Sequence, residues 1–257
     1  MKIKVQLIAL YTIIRREITR IFRIWMQSLL GPIVNIFLYF LIFGSVVGKR
    51  IGAIDGIPYL KFIAPSLIML TAINSTYTNI SSSFFLMRFQ KNIEELVVSP
   101  VSNFIILIGF CLSSILRGLL VALILNTIIY YLFDISISGS MLLVFDLTIA
   151  TALFSLVGFI NGLKARSFDE IMIIPSFILT PLGYLGGVFF TINMLPAKWQ
   201  TIAKLNPLMY IIDTFRMHAL NLKASHAPLT YLISAIIIII LTAFIIHQMN
   251  KKMLLDR

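Results

Sequence analysis

The side chains able to do chemistry are few in this chain, and they lie in islands. The most compact is residues 88–100, RFQKNIEELVVSP, a doubly charged segment between two long apolar runs. Phe89, Ile93, Leu96 and Val97 recur at i, i+4, i+7 and i+8, so a helix gathers them on one face. Gln90, Lys91, Asn92, Glu94 and Glu95 fall elsewhere, and Ser99 and Pro100 form a stop signal. Such a segment is either a solvated loop or a docking handle for a soluble partner, and the handle is the expectation.

The second island is a series of small polar residues in an otherwise apolar run: Thr71, Asn74, Ser75, Thr78, Ser81 and Ser82. Spacings of three and four place them on one stripe of a helix. Against lipid they are costly, so the stripe faces protein or water. It serves either helix–helix hydrogen bonding or the lining of a pathway, and both roles are compatible at a dimer seam. Two isolated charges complete the inventory. Arg117 either sits near the start of a span and snorkels, or is central and needs a partner or water. Asp146 lies in the first turns of a later run, where a carboxylate is either solvated or proton-coupling.

Catalysis finds little support. No clustered carboxylates, metal-spaced histidines or nucleophile triad are apparent, and His218, His226 and His247 look peripheral. The single cysteine, Cys111, excludes an intramolecular disulfide and a cysteine-based metal site. Residues 44–50 imitate a phosphate-binding loop, but have three residues between the glycines where four are needed. Arg50 also stands where a magnesium-binding Ser or Thr belongs.

The elements that position these islands belong to a membrane. Of 257 residues 59% are hydrophobic and 12% charged, about half the charged share of an ordinary soluble domain, and the mean hydropathy is +0.98. The runs lack the alternation of a barrel, so the expected fold is an all-α polytopic membrane protein in one transmembrane domain, residues 1–257. Expected spans are 28–47, 61–85, 104–133, 141–160, 171–190 and 229–248. The fifth carries Pro175, Pro181, Gly183, Gly186 and Gly187 and should be broken or kinked. Gly158 and Gly162 offer a close helix contact.

Before the first span, Tyr11, Ile14, Ile18, Ile21, Phe22 and Trp25 share one face while Arg15, Arg16, Arg20 and Arg23 occupy another. Residues 1–27 therefore read as an interfacial amphipathic helix without a removable signal, a lipid anchor in preference to a contact for a soluble partner. Before the last span, residues 191–223 read as short re-entrant or interfacial helices, in which Asp213 and Arg216 can pair at i, i+3. With six spans, thirteen Lys and Arg fall on the side of the termini: six before Ser28, then Arg88, Lys91, Lys164, Arg166, Lys251, Lys252 and Arg257. Six fall opposite: Lys49, Arg50, Lys198, Lys204, Arg216 and Lys223. Both termini and the 88–100 segment are thus expected in the cytoplasm. The net charge of +11 suits headgroups and topology, and no nucleic-acid module is visible.

The amphipathic basic start, six spans, a QKNIEELVVSP-like loop after the second and LNPLMYIIDTFR before the sixth resemble an ABC-2 type exporter permease over nearly the whole chain. The resemblance is closest to bacterial stand-alone permeases for drugs, polysaccharides or lipid-linked cargo in the cytoplasmic (inner) membrane. It implies a homodimer, non-catalytic itself, paired with two copies of a cytoplasmic ATPase that binds the ATP and Mg. It implies a coupling helix carried here by Gln90, Lys91, Asn92, Glu94 and Glu95. Short helices at the outer mouth would form a gate that includes Leu205, Asn206, Pro207, Tyr210, Asp213 and Arg216. The competing expectations are an ion-gradient transporter or channel, and a membrane scaffold that anchors an ATPase.

Overall fold

A computed structural model of the chain describes residues 2–43, 48–93, 96, 99–137 and 139–255. It is all-α apart from one two-stranded hairpin. Helix α1 (Lys2–Arg23) is followed by a π-helical turn (Met26–Leu30) and α2 (Gly31–Ile42). The two helices meet at a bend of 80°, so the arginine-rich helix and the apolar one point in different directions.

A single turn, α3 (Gly48–Ile51), leads to strands β1 (Ala53–Ile54) and β2 (Ile57–Pro58). Between them Asp55 and Gly56 both take positive φ, the backbone of a two-residue hairpin turn that an Asp-Gly pair favours. The Asp55-Gly56 pair is the sequence signal for this hairpin.

Three long helices form the frame: α4 (Tyr59–Phe89), α5 (Asn103–Phe133) and α6 (Met141–Lys164). Serine hydroxyls start two of them: Ser102 accepts from the Ile105 amide and Ser140 from the Leu142 amide. Helix α5 ends where Asp134 enters the left-handed region at φ 52°. The fifth run is one helical stretch with a π turn inside it: α7 (Phe168–Ile174), the π turn (Pro175–Leu179) and α8 (Thr180–Leu185). It starts and stops earlier than residues 171–190: Ser167 caps its N-terminus, and Gly187 takes φ 75°, which only glycine adopts cheaply. Short helices α9 (Ala197–Lys204) and α10 (Pro207–Ala219) precede α11 (Ala227–Leu255).

Among the described residues, four helical stretches are long and apolar enough to cross a membrane: Asn103–Phe133, Met141–Lys164, Phe168–Leu185 and Ala227–Lys251. A fifth joins them if the bent pair of α1 and α2 counts as one. Helix α4 is 31 residues long, but its polar residues keep it out of that set. It is instead the buried axis of the bundle, packed on α5 and α6 along its length and on α10 at its start. Two apolar clusters lie along it. One runs from Phe62 to Tyr77 with partners such as Leu125 and Phe154. The other runs from Ile80 to Met87 with Phe110 and Phe159. Close approach of α6 to α4 occurs at Gly158 and Gly162, which lie over the backbone of Tyr77 and Ser81, as their spacing predicted.

Candidate functional site

The end of α1, α2, α4 and the α7–α8 rod border a cavity of about 730 Å³. One wall is the polar stripe of α4, where Thr71, Asn74, Ser75, Thr78 and Ser82 line the space. Ser81, assigned to the same stripe, is fully buried on the α6 side, beneath Gly162. The exception has a geometric cause: at 100° per residue Ser81 lies about 80° around the helix from Thr71, whereas Ser82 falls back within about 20° of it. Ser82 turns back on its own helix and donates to the Thr78 carbonyl at 2.6 Å. The opposite wall is aromatic: Tyr39 and Tyr184 each place their ring 6.0 Å from Phe189. The cavity is therefore polar on one side and apolar on the other.

A buried network of charged groups borders this cavity. Glu17, on α1, is 1% exposed. It pairs with Arg16 at 3.3 Å and Arg20 at 3.1 Å, and accepts from the Ser83 hydroxyl at 2.5 Å. The second guanidinium nitrogen of Arg20 donates to Asn79 Oδ1 at 2.7 Å. Arg117 donates to the same oxygen at 2.9 Å and to the Ser28 carbonyl at 3.3 Å. Asn79 Nδ2 in turn donates to Ser114 Oγ at 2.9 Å. Asn79 thus ties α1, α4 and α5 together at the level where the two apolar clusters divide.

Arg117 is fifteenth of the 31 residues of α5 and 8% exposed, so it is central and has not snorkelled. The sequence reading missed Glu17, Asn79 and Ser83. A signal for Glu17 was present: it is the only acidic residue before Asp55 and stands among four arginines.

The anchor residues divide. Arg15, Arg23 and Trp25 are exposed, with the apolar Leu7, Tyr11 and Phe22 beside them on the outside. Arg16 and Arg20 turn inward, Arg16 also reaching Met87 Sδ at 3.0 Å. Helix α1 is therefore held by protein along Ile13, Glu17 and Ile21, all buried at a spacing of four, in addition to any lipid it meets. The four arginines line a second groove of about 470 Å³, which Gln90 and Asn92 of the presumed handle share.

In that handle, Phe89 is the last residue of α4, stacked on Phe85 and edge-on to Phe168, so it is not part of the next helix. The left-handed Lys91 (φ 60°) separates the two. Ile93 and Leu96 do pack on the second apolar cluster, as the periodicity required. Asn92 donates to Gln90 Oε1 at 3.2 Å, while Glu94, Glu95 and Val97 lie outside the described residues. Both ends of the segment are fixed. Arg88 donates to the Gly162 and Leu163 carbonyls at the end of α6, at 2.9 and 2.6 Å. Gln6 spans the Pro100 carbonyl and the Ser102 amide at 2.8 and 3.1 Å.

Around α9 and α10, Leu205 is exposed and Tyr210 donates to the Lys204 carbonyl at 2.9 Å. Asn206 caps α10, with Pro207 in its first turn, and donates to the Leu182 carbonyl at 2.6 Å. Asp213 and Arg216 pair as their spacing predicted. Arg216 further donates to the Gly187 carbonyl at 2.7 Å and lies 4.2 Å over the Phe62 ring. Burial pushes its pKa down, and the Asp213 carboxylate pulls it back up. These bonds tie the segment to the end of α8 and the start of α4. Arg216→Ala is expected to cost about 2–3 kcal/mol, below the ~3–5 of a fully buried pair because Asp213 stays partly exposed. A lower unfolding midpoint in detergent and faster proteolysis between α8 and α10 would register it; an unchanged midpoint would deny the tie.

Asp146 is not solvated. It is 4% exposed, held by His218 Nδ1 at 2.7 Å and by the Tyr231 hydroxyl. His218 is accordingly not peripheral. The cause is tertiary: α6, α10 and α11 meet at this point, so the carboxylate of one finds donors on the other two.

Comparison with known proteins adds sequence-wide similarity. A profile of the ABC-2 type transporter family matches residues 8–220. The chain is 39% identical over 239 residues to the inner membrane transport permease YadH of Escherichia coli (strain K12), covering 93% of each. It is 24% identical over 213 residues to Nodulation protein J of Rhizobium meliloti (strain 1021), covering 80% of this chain and 79% of that one. Nodulation protein J of Neorhizobium galegae is 27% identical over 195 residues, 74% of this chain and 72% of the other.

Proposed function

The chain belongs to the ABC-2 type transporter family, and from that premise we propose that it is the membrane permease subunit of an ATP-driven exporter. Two copies form the pathway. Two copies of a cytoplasmic ATPase, which hold the ATP and Mg, drive it. The cargo is an amphiphile: drug-like, lipid or lipid-linked polysaccharide.

The observation that carries this reading is the 730 Å³ cavity, with hydroxyls and amides on one wall and aromatic rings on the other. An amphipathic space inside a bundle this apolar suits a cargo with both characters. Six spans follow if α2, α4, α5, α6, the α7–α8 rod and α11 each cross. The 80° bend supports an α1 that lies along the interface while α2 crosses. The positive-inside count places both termini in the cytoplasm, and the name of the Escherichia coli relative supports the inner membrane.

In this arrangement Gln90, Lys91, Asn92, Glu94 and Glu95 meet the ATPase. Their segment is anchored at both ends, by Arg88 to α6 and by Gln6 to α1, so a push on it reaches two helices of the bundle. The segment 191–223 is the outer gate, with Asn206 and Arg216 as its ties.

The test is reconstitution with the ATPase that co-purifies with the chain. Glu94→Ala with Glu95→Ala is expected to reduce cargo-stimulated ATP turnover to the basal level of the ATPase alone. Full stimulation in the double variant would remove the coupling role. Cargo movement by the chain alone under an ion gradient would replace the exporter reading with a secondary transporter.

A further inference from the structure

The polar cavity is unbalanced in charge. Among the described residues that line it, Arg20 and Arg117 are cationic and none is acidic. The nearby carboxylate of Glu17 is taken up by Arg16, Arg20 and Ser83. Arg20 therefore has an anionic partner and Arg117 has none. Both hydrogen-bond acceptors of Arg117 are neutral, the Asn79 side-chain oxygen and the Ser28 carbonyl.

Three donors on residues that line the cavity lack partners as well, each atom enclosed by protein: Arg117 Nε, Ser28 Oγ and Ser75 Oγ, on residues at least nine-tenths buried. A buried guanidinium without a counter-ion costs several kcal/mol in a bundle surrounded by hydrocarbon. Three idle donors add to that cost. Both deficits are removed by one kind of occupant, an anion that accepts hydrogen bonds.

We propose that this cavity binds the anionic headgroup of an amphiphile, with Arg117 as counter-ion and the Ser28 and Ser75 hydroxyls as additional donors. The facing wall of Tyr39, Tyr184 and Phe189, with Leu67 and Leu70, receives the apolar part. The proposal rests on reading the cavity as the cargo path and assigns that cargo a charge.

The probe is lysophosphatidate, compared with lysophosphatidylcholine of the same chain length and with inorganic phosphate, added to the full-length chain in neutral detergent. Binding is read by native mass spectrometry. Lysophosphatidate is expected to bind at least about tenfold more tightly than lysophosphatidylcholine, the lower edge of what a charge-assisted hydrogen bond contributes. Inorganic phosphate is expected to bind weakly because it leaves the aromatic wall empty.

Arg117→Gln should lose that tenfold preference. Arg117→Lys should retain the preference, and Arg23→Gln, on the exposed face of α1, should leave it unchanged. A purely structural Arg117 makes a different prediction, a fall in the unfolding midpoint of ligand-free Arg117→Gln. Under the proposal the midpoint stays within about 2 °C of the parent or rises, because an uncompensated buried charge has been removed. Ser75→Ala, a smaller change, should weaken lysophosphatidate binding several-fold and provides the test if Arg117→Gln does not fold.

Equal binding of the two lysolipids, equal binding of phosphate alone, or undiminished selectivity in Arg117→Gln would each overturn the proposal. None of these results depends on ATP turnover or transport, so the exporter reading would stand or fall separately.

Discussion

Gly158→Val is expected to abolish the folded protein. A Cβ at residue 158 would lie 2.6 Å from Ile80 Cγ2 and 2.8 Å from the Tyr77 carbonyl oxygen. Ile80 can shift its methyl, but the carbonyl belongs to the centre of α4, the most enclosed helix of the bundle, and cannot. One turn further, Gly162 meets the Ser81 carbonyl in the same way, at 2.7 Å. Relief therefore requires α6 to separate from α4, which opens both apolar clusters at once. Overpacking of a dense core costs ~1–3 kcal/mol where side chains can adjust, and here the obstacle is backbone, so the cost lies at or beyond the upper figure. The measurement is the monodisperse fraction after detergent extraction, with Gly158→Ala as the graded variant. A Gly158→Val protein that elutes and unfolds like the parent would mean that α4 and α6 are not in backbone contact.

Glu17→Ala is the second large effect, and it acts through charge. Among the described residues its carboxylate is the only anion in a network that holds Arg16, Arg20 and Arg117 near one another. Removing it leaves Arg20 partly buried with a neutral amide as its remaining side-chain partner, beside the uncompensated Arg117. Breaking a buried pair from one side costs ~3–5 kcal/mol, and the lower figure applies because Arg16 is about half exposed. Since Glu17, Ile13 and Ile21 are the residues by which α1 meets the bundle, the loss should be local at first. Protease should gain access to α1 before the core unfolds. Glu17→Gln keeps the volume and one acceptor and should recover part of the loss. If Glu17→Ala leaves α1 as protected as in the parent, the contacts at Ile13 and Ile21 and the bonds of Gln6 and Arg20 hold the helix without the carboxylate.

The two cases also separate kinds of legibility. The close contact at Gly158 and Gly162 was visible as a spacing, since small residues four apart on an apolar helix have few other uses. The Glu17 network was not, because its members come from three helices and bond across 35 to 89 positions of the chain, which is a matter of packing alone. The stripe on α4 was read nearly whole, and Ser81 left it because a spacing of three from Thr78 carries it to the edge of the face that Ser82 rejoins. For Asp146 the sequence left solvation and proton coupling both open, because its position near a helix start says nothing about which neighbours arrive there. The handle was half legible: Ile93 and Leu96 pack as their period required, but the helix break at Lys91 gave Phe89 to α4.

The sequence by itself determined the class of the protein, the polar face of α4 and the pairing of Asp213 with Arg216. Each of these is local: hydrophobic period, turn chemistry or an i, i+3 distance along one helix. Only the tertiary structure decided that Arg117 is central and without a carboxylate, that Arg16 and Arg20 turn inward, and that His218 and Tyr231 hold Asp146. A buried charge is satisfied by whatever donor lies within about 3 Å. In a helical bundle that donor comes from another helix, whose rotation and height no single periodicity records.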